Sequence, residues 1–241
     1  AEIEEVLEYY DNGNKKIEGR TKNGQPDGTW REWYEDQTLK SESEYKDGVK
    51  QGQWKEWHRN GKLKSRIDYL DEKFHGGWAE WYYGGGKKSS RSYNKGTPVG
   101  RWVEWAENGD TTRVITFFDD GKKKNESEFQ YSREGIVKIY REWYANGNRR
   151  IEQQMKGDKR FGDYREWFED GTLALETKFV DGKEDGLHRD FYESGNKRME
   201  IQMKDGKKNG LSTLWNEQGL KVSIKLFQDD QFVKSLPVME Q

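Results

Sequence analysis

A carboxylate lies between two indole rings in the stretch GRWVEWAENGD, residues 100–110, where Trp102 and Trp105 flank Glu104. Indole rings stack on sugar rings, and a pair of carboxyl groups beside them is typical of glycosidases. Such a pair works only if its two members differ in environment, so that one keeps a proton while the other is ionised. The stretch therefore raises the hypothesis of a glycan-cleaving site, provided that it occurs once.

The same acidic–aromatic pair recurs along the chain. Its acidic member is found at Glu8, Glu32, Glu56, Glu80, Glu104, Glu142, Glu166 and Asp190. A catalytic pair is a single asymmetric arrangement, whereas a residue that recurs at a fixed period is typical of packing in a repeat protein. We therefore expect these carboxylates to bond neighbouring hydroxyl, indole or cationic groups, and we expect the protein not to be an enzyme.

Other residues give no stronger indication of catalysis. The chain has no cysteine, and His58, His75 and His188 fall at different repeat positions without the spacing of metal ligands. The glycines at 84–86 lack the strand-to-helix context and the Lys-Ser/Thr ending of a phosphate-binding loop. We therefore expect no metal site and no cofactor.

Composition excludes several classes of protein. Hydrophobic residues make up 31% of the 241 residues, charged residues make up 37%, and the mean hydropathy is -1.30, which is too polar for a thick two-layer core. The 11 tryptophans nevertheless argue against disorder. The 43 basic and 45 acidic residues nearly cancel, so we expect no nucleic-acid partner. No apolar run has the length of a membrane span, and we expect no contact with membrane lipid.

A 24-residue repeat organises the chain as one repeat-array domain, residues 1–241. A glycine marks the start of most units, and the units begin near residues 4, 28, 52, 76, 100, 138, 162, 186 and 210. The spacing is interrupted once, by an insertion at 121–137, and residues 231–241 form a C-terminal tail. Lys138 replaces the marker glycine in the unit that follows the insertion.

Turn signals divide each unit into two strands. Asn-Gly and Asp-Gly dipeptides lie between short aromatic and β-branched runs, and they accept the positive φ of tight hairpin turns. The predicted fold class is all-β, with about nine hairpins in one long, twisted, antiparallel sheet. About 18 strands at ~4.8 Å spacing would make the array elongated. Small-angle scattering should then give a radius of gyration above the ~18 Å of a compact domain of this length.

A two-residue turn also predicts which residues face each other across a hairpin. The predicted partners include Gly28 and Tyr45, Arg31 and Glu42, Trp33 and Lys40, and their equivalents in other units. A bulge beside the Glu would instead turn the following Trp to the other side. One face of the sheet becomes mainly aromatic and the other mainly charged, and the sequence leaves open which face is buried.

A candidate contact surface follows from this arrangement. Its residues are Trp30, Trp54, Trp78, Trp102, Glu80, Glu104, Phe129 and Tyr131. Rows of Trp with polar neighbours are typical of protein-contact surfaces and of surfaces that stack on extended glycans. The last two residues belong to the insertion, in the alternating stretch NESEFQYS, residues 125–132. That alternation predicts an extended hairpin that projects from the array and helps to select the partner, and the alternative is a decorating loop without a role.

Two stretches carry a family resemblance. GTWREWYEDQTLKSESEYKDG at 28–48 and GDYREWFEDGTLALETKFVDG at 162–182 resemble MORN repeats in their bacterial variant form. The resemblance extends over roughly residues 4–230, with departures at Gln37, at Lys138 and in the stretch 210–219. It implies an array of β-hairpins used for contacts with proteins and sometimes with lipids, in a family often labelled antitoxin-like.

We therefore predict a non-enzymatic binding or scaffold protein that presents its sheet to a protein partner. The alternative is an exported carbohydrate-binding protein that stacks Trp rings on a glycan. Trp fluorescence titrated with glycans separates the two, because it stays flat for the first and responds saturably for the second. An exported location, periplasmic or secreted, is favoured over a cytoplasmic one, since the sequence starts at Ala1 and lacks cysteine.

Overall fold

The computed structural model describes residues 1–239, and every regular element in that range is a β-strand. The strands are β1 (Ile3–Tyr9), β2 (Lys15–Lys22), β3 (Gln25–Trp33), β4 (Leu39–Lys46), β5 (Val49–Trp57), β6 (Leu63–Leu70), β7 (Lys73–Trp81), β8 (Lys87–Asn94), β9 (Thr97–Trp105), β10 (Thr111–Phe117), β11 (Lys123–Ser132), β12 (Gly135–Trp143), β13 (Arg149–Lys156), β14 (Lys159–Trp167), β15 (Leu173–Val180), β16 (Lys183–Glu184), β17 (Gly186–Phe191), β18 (Lys197–Lys204), β19 (Lys207–Trp215), β20 (Lys221–Gln228) and β21 (Gln231–Leu236). The all-β class and the antiparallel hairpins are confirmed.

The chain divides into two compact units, Ala1–Lys122 and Lys123–Gln241, which we call the first and second units. The first contains β1 to β10 and the second β11 to β21. Within each unit, consecutive strands pair antiparallel, so that each unit is a meander of hairpins. In the second unit β16 and β17 both pair with β15, one after the other, and are separated at Asp185.

Two kinds of turn alternate in most of the chain. Most two-residue turns have positive φ at both positions, as at Asp47 (49°) and Gly48 (82°), which is the geometry that the Asp-Gly signals predict, and the turns at 133–134 and 157–158 are exceptions. The other turns span five residues, and in one of them the His58 N–H donates to the Lys62 carbonyl at 2.8 Å while the Gly61 N–H donates to the His58 carbonyl at 2.9 Å. The hairpin signals in the sequence are therefore confirmed.

The marker glycine occupies a bulge as well as facing a large side chain. Gly52 lies opposite Tyr69 as predicted, and its φ of 65° is one that side chains rarely adopt. On the other side of β5, the pairing with β4 shifts register beside this glycine. Lys138 replaces the glycine in β12, and there β11 and β12 pair without any shift from Asn125 to Ser132. The glycine thus permits a bulge that the lysine-containing strand lacks.

The interrupted region at 121–137 contains β11, which pairs with β12 along most of its length. The turn before it, at 118–122, is of the five-residue kind, with the Phe118 N–H donating to the Lys122 carbonyl at 2.8 Å. Two five-residue turns therefore follow each other on either side of β10. Gly121 approaches β9 so closely that a Cβ would lie 2.7 Å from Thr97 Cγ2. In the C-terminal tail β21 pairs with β20, and residues 240–241 lie outside the described range.

Few side chains are buried. The buried apolar residues are Val103, Ile115, Ile201 and Tyr164, and none of them is more than 9% exposed. No large side chain among residues 1–239 is completely buried. This agrees with the low hydrophobic content, because rings packed along the strands take the place of a thick core.

Candidate binding surface

An extra residue on the following strand shifts the partner of the Trp in every Glu–Trp pair of the hairpins described. Register shifts between Glu32 and Trp33, and Trp33 pairs with Leu39. The predicted pairing of Trp33 with Lys40 is therefore wrong by one residue. Strict alternation produced the error, since the sequence pattern does not contain the extra residue that a bulge inserts.

Cations still cover these rings, but they come from the neighbouring hairpin. Lys15 pairs with Tyr9 in the first hairpin, and its Nζ lies 5.2 Å from the ring centre of Trp33 in the next. Lys87 Nζ lies 6.0 Å from the ring of Trp105 in the same way. These distances suit cation–π attraction. The contacts therefore couple adjacent hairpins instead of the two strands of one hairpin.

A ladder of hydrogen bonds couples the same hairpins at their five-residue turns. The Tyr34 hydroxyl donates to the Trp57 carbonyl at 2.8 Å, and the Tyr82 hydroxyl donates to the Trp105 carbonyl at 2.7 Å. Equivalent bonds are donated by Tyr10, Tyr144 and Tyr192. Each joins a residue to the carbonyl 23 positions later, so the ladder requires the regular 24-residue period.

The recurring carboxylates bond to neighbouring side chains. Glu80 accepts a hydrogen bond from the Ser89 hydroxyl at 2.9 Å, and Glu142 accepts one from Arg150 at 2.8 Å. Glu104 lies within 3.9 Å of two guanidinium groups, those of Arg91 and Arg113. These are the hydroxyl and cationic partners expected from the repeat.

The face of the first unit that carries Trp30, Trp54, Trp78 and Trp102 is called here the aromatic face. Seven half-buried rings form a continuous series across β5 to β10, with successive centroids between 4.5 and 6.2 Å apart. In order they are Trp54, Tyr69, Phe74, Trp78, Tyr93, Trp102 and Phe117. This series, the ring ladder, is the most extensive aromatic cluster in the described chain.

Two cations lie over the ring ladder. Lys50 Nζ is 4.3 Å from the ring centre of Trp54, and the Arg91 guanidinium is 5.1 Å from that of Trp78. Lys50 and Phe74 share one repeat position, two residues before the marker glycine. This position was not predicted, because its residue type changes from one repeat to the next, as in Pro26, Lys50, Phe74 and Pro98.

The predicted contact residues fall into three groups. Trp54, Trp78 and Trp102 belong to the ring ladder. Glu80 lies two residues after Trp78, and Glu104 lies two residues after Trp102, so both carboxylates are on the same face as the rings. Trp30 lies instead against Gly19 of β2, where a Cβ would come within 2.3 Å of its ring. Phe129 and Tyr131 belong to β11 of the second unit, where they pair with Lys138 and Ile136.

The second unit differs, because its opposite, charged face carries a continuous ionic series. The predicted pairs Arg141–Glu152 and Arg189–Glu200 are confirmed at 3.0 and 2.9 Å. Arg165 lies between them, 3.9 Å from Glu152. Since these charges satisfy one another, the series is structural.

The second unit's aromatic side has fewer ring contacts. Tyr164 stacks edge-on against Phe179 at 5.9 Å, and Arg160 covers it at 5.1 Å. Burial, together with a hydrogen bond donated to Glu166, raises the pKa of Tyr164 to about 12. Its hydroxyl therefore stays protonated at physiological pH and acts as a donor.

His188 takes the place of the ring in the next hairpin. Its Nδ1 lies 2.9 Å from Glu184 and its Nε2 lies 3.4 Å from Asp190, which also receives a hydrogen bond from Arg198 at 2.6 Å. The hydrogen bond with Asp190 and the bond with Glu184 raise the pKa of His188 against the effect of burial. Burial alone would raise the pKa of Asp190, but bonds from His188 and Arg198 lower it.

Two features are absent from residues 1–239. No group of three or more His, Asp or Glu side chains there has the arrangement of a metal site. No helix in that range is long and apolar enough to cross a membrane.

Comparison with known proteins gives one family match. The model for MORN repeat variants matches residues 5–23, 26–47, 50–71 and 184–205, about a third of the chain. No curated protein matches. Among solved structures, a chain in the crystal structure of TcdB2-TccC3-Cdc42 is 10% identical with a TM-score of 0.23, over 98% of this chain and 15% of that one. In four segments, therefore, this chain is similar to MORN repeat variants.

Proposed function

We propose that this repeat protein is a non-enzymatic scaffold that binds a protein partner on the aromatic face of its first unit. The observation that carries the proposal is the ring ladder. Its seven rings are only half-buried, because they pack against one another along the sheet and keep part of their surface accessible.

The chemistry around the ring ladder supports a protein partner. Protein interfaces are enriched in Trp, Tyr and Arg and have a polar rim around an apolar centre. The ring ladder has this composition, with Lys50 and Arg91 over its rings and Glu80 beside them. We also propose that the protein has no enzymatic role. The recurring carboxylates support this, because they bond to neighbouring hydroxyl and cationic groups.

Affinity measurements on the protein purified together with its native partner test this proposal. Trp78→Ala should weaken binding about tenfold, since a central aromatic anchor contributes more than 1 kcal/mol to an interface. Trp167→Ala, in the second unit, is the control for loss of an indole outside the aromatic face, and it should leave the affinity within about twofold. Equal losses for the two variants, or no loss for either, would remove the aromatic face from the binding site.

A glycan is the second candidate, and the accessible rings of Trp78 and Trp102 on one face favour it. Such a ligand would stack on the indoles and change their emission. We expect Trp fluorescence to stay flat in titrations with glycans. A saturable response that Trp78→Ala abolishes would replace the protein partner with a glycan.

The bacterial origin, the antitoxin-like role and the exported location that the resemblance and the sequence suggested also belong to the proposal. A partner of an antitoxin is toxic when it is produced alone. We expect production of the partner alone to arrest bacterial growth, and co-production of this chain to restore it. Normal growth in the first case would exclude the antitoxin-like role while leaving the scaffold role in place.

A further inference from the structure

Two rows run across the strands of the aromatic face at its centre. Trp54 and Glu56 lie two residues apart on β5, and Trp78 and Glu80 repeat this arrangement on β7. Residues two apart on a strand point to the same face. The centre of the face therefore presents a row of indoles with a row of carboxylates beside it, each repeating once per hairpin.

The spacing of these rows corresponds to one kind of extended chain. Strands lie ~4.8 Å apart, so equivalent residues of successive hairpins are separated by ~9.6 Å. A polyproline II helix has three residues per turn and rises ~3.1 Å per residue, so it repeats every ~9.3 Å. If such a segment lay across the strands, every third residue would lie over the same repeat position in successive hairpins.

The charges on the aromatic face indicate which residue type should recur in the bound segment. Glu32 and Glu104, on either side of Glu56 and Glu80 in the row, lie within 4.0 Å of Lys40 and of Arg91 and Arg113. In the described part of the chain the central Glu56 and Glu80 have no such ion pair. Their hydrogen bonds come from serine hydroxyls, at 3.5 Å from Ser65 and 2.9 Å from Ser89. Lys50 and Arg91 lie over the neighbouring rings Trp54 and Trp78, and neither forms an ion pair with Glu56 or Glu80 among the described residues. These two carboxylates therefore complement basic side chains at every third position.

The apolar part of the surface lies beside these carboxylates. Trp54, Tyr69, Phe74 and Trp78 are consecutive members of the ring ladder across β5 to β7. Proline-rich segments dock on aromatic-lined surfaces because their conformation is already formed and little entropy is lost on binding. Lysine and proline in a three-residue period would therefore meet carboxylates and rings at the same time.

Sheet twist limits the length of the contact. Adjacent strands rotate by ~20–25°, so successive hairpins rotate by about 45° and a straight segment leaves the surface after two or three of them. The contact therefore belongs to the two hairpins β5–β6 and β7–β8, where both the carboxylates without an ion pair and the rings are found.

We propose that the partner docks on the aromatic face through a proline-rich segment with a basic residue at every third position, lying across β5 to β8. Its basic side chains pair with Glu56 and Glu80, and its prolines pack on the rings from Trp54 to Trp78. This inference rests on the proposed function, and it specifies which chemistry the partner brings to that surface.

Binding of synthetic peptides to the full-length protein tests the inference by calorimetry. A peptide of three Pro-Pro-Lys repeats should bind saturably, and added salt should weaken it because the contact is ionic. A peptide of three Pro-Pro-Glu repeats should not bind. A third peptide has the composition of the first with its three lysines adjacent, and it should bind about fivefold more weakly, since it pairs with one carboxylate at a time. Equal binding of the first and third peptides would overturn the inference.

Protein variants locate the peptide. Replacing both carboxylates, Glu56→Gln with Glu80→Gln, should weaken the Pro-Pro-Lys peptide about fivefold or more, whereas Glu166→Gln at the same repeat position in the second unit should not. Melting curves of these variants check that each is folded. Equal effects of the central and control variants in folded proteins would contradict the proposed position.

The outcomes separate this inference from the proposed function. If the Pro-Pro-Lys peptide does not bind, while Trp78→Ala still weakens the native partner, the partner's chemistry is wrong and the surface is right. If Trp78→Ala leaves the native partner unaffected, the proposed function itself is wrong. A glycan response without peptide binding also overturns the inference.

Discussion

At the scale of single residues, the aromatic residue after each acidic one stabilises the array in two ways. The ring of Trp105 lies beneath Lys87 of the preceding hairpin, and its carbonyl accepts the hydrogen bond from Tyr82. A substitution of Trp105 removes only the contact between its ring and Lys87, because the carbonyl that accepts from Tyr82 belongs to the backbone. The ring is half-buried, so its loss costs less than the loss of a fully enclosed indole.

Trp105→Ala should therefore lower the free energy of unfolding by about 2–3 kcal/mol, as measured by urea denaturation. Val180→Ala, at a valine with 53% exposure, is the control and should change it by less than about 0.5 kcal/mol. A stability loss at Trp105 no larger than that of the control would show that this column does not hold the hairpins together.

His188 gives the protein a pH-dependent contribution to stability. Its pKa is raised above the ordinary 6.5 by its bonds with Asp190 and Glu184, so the protonated imidazole is favoured in the folded state. The stabilisation is fully present below pH 6.5 and disappears as the pH rises through the raised pKa of the folded state. The lowered pKa of Asp190 acts far below this range.

We therefore expect the wild-type melting temperature to fall between pH 6 and pH 8 by more than that of His188→Gln. His75→Gln is a suitable control, since His75 Nδ1 bonds to the Lys95 N–H at 3.1 Å instead of to a carboxylate, and it should keep the wild-type slope. Parallel curves for wild type and His188→Gln would show that the bridge between the two carboxylates contributes no pH dependence.

At the scale of the hairpin, tyrosine hydroxyl groups connect several of the 24-residue repeats to the repeat that follows. Tyr34 and Tyr82 donate to carbonyls 23 residues later, at 2.8 and 2.7 Å. Phe168 occupies the same repeat position without a hydroxyl group, so the ladder has a natural gap in the second unit.

Tyr34→Phe should destabilise the protein by about 1 kcal/mol, because the Trp57 carbonyl loses its donor while the ring packing remains. Phe168→Tyr is the reciprocal variant, and it should stabilise the protein by up to about 1 kcal/mol by supplying the missing donor. Chemical denaturation of both variants measures the effect. No change in either direction would mean that water replaces the ladder at no cost.

Much of the hairpin could be predicted from its sequence, because turn chemistry and a period of two determine it. The Asp47–Gly48 turn and the Gly52–Tyr69 pairing are examples. The Trp33–Leu39 pairing could not be predicted, since a bulge adds one residue without changing the composition of the strand. The ring ladder was predicted only in part. Phe74 and Lys50 reach it from beyond the bulged glycine, where alternation no longer indicates the face.

At the scale of the whole molecule, stability is expected to be a sum of contacts between neighbouring hairpins. The ring ladder and the Tyr34 and Tyr82 bonds all lie within Ala1–Lys122. A fragment of residues 1–122 should therefore fold alone, with the near-ultraviolet circular dichroism of ordered aromatic rings and a cooperative thermal transition. An unfolded fragment would show that the first unit depends on the second.

The central claim is that the aromatic face of the first unit binds the partner. Hydroxyl-radical footprinting of the full-length protein, alone and with its co-purified partner, tests it most directly. Each Trp reports its own accessibility there. We predict that the partner protects Trp54, Trp78 and Trp102 while Trp167 and Trp215 keep their oxidation rates. Protection confined to Trp167 and Trp215, with the three ring-ladder tryptophans unchanged, would contradict the account.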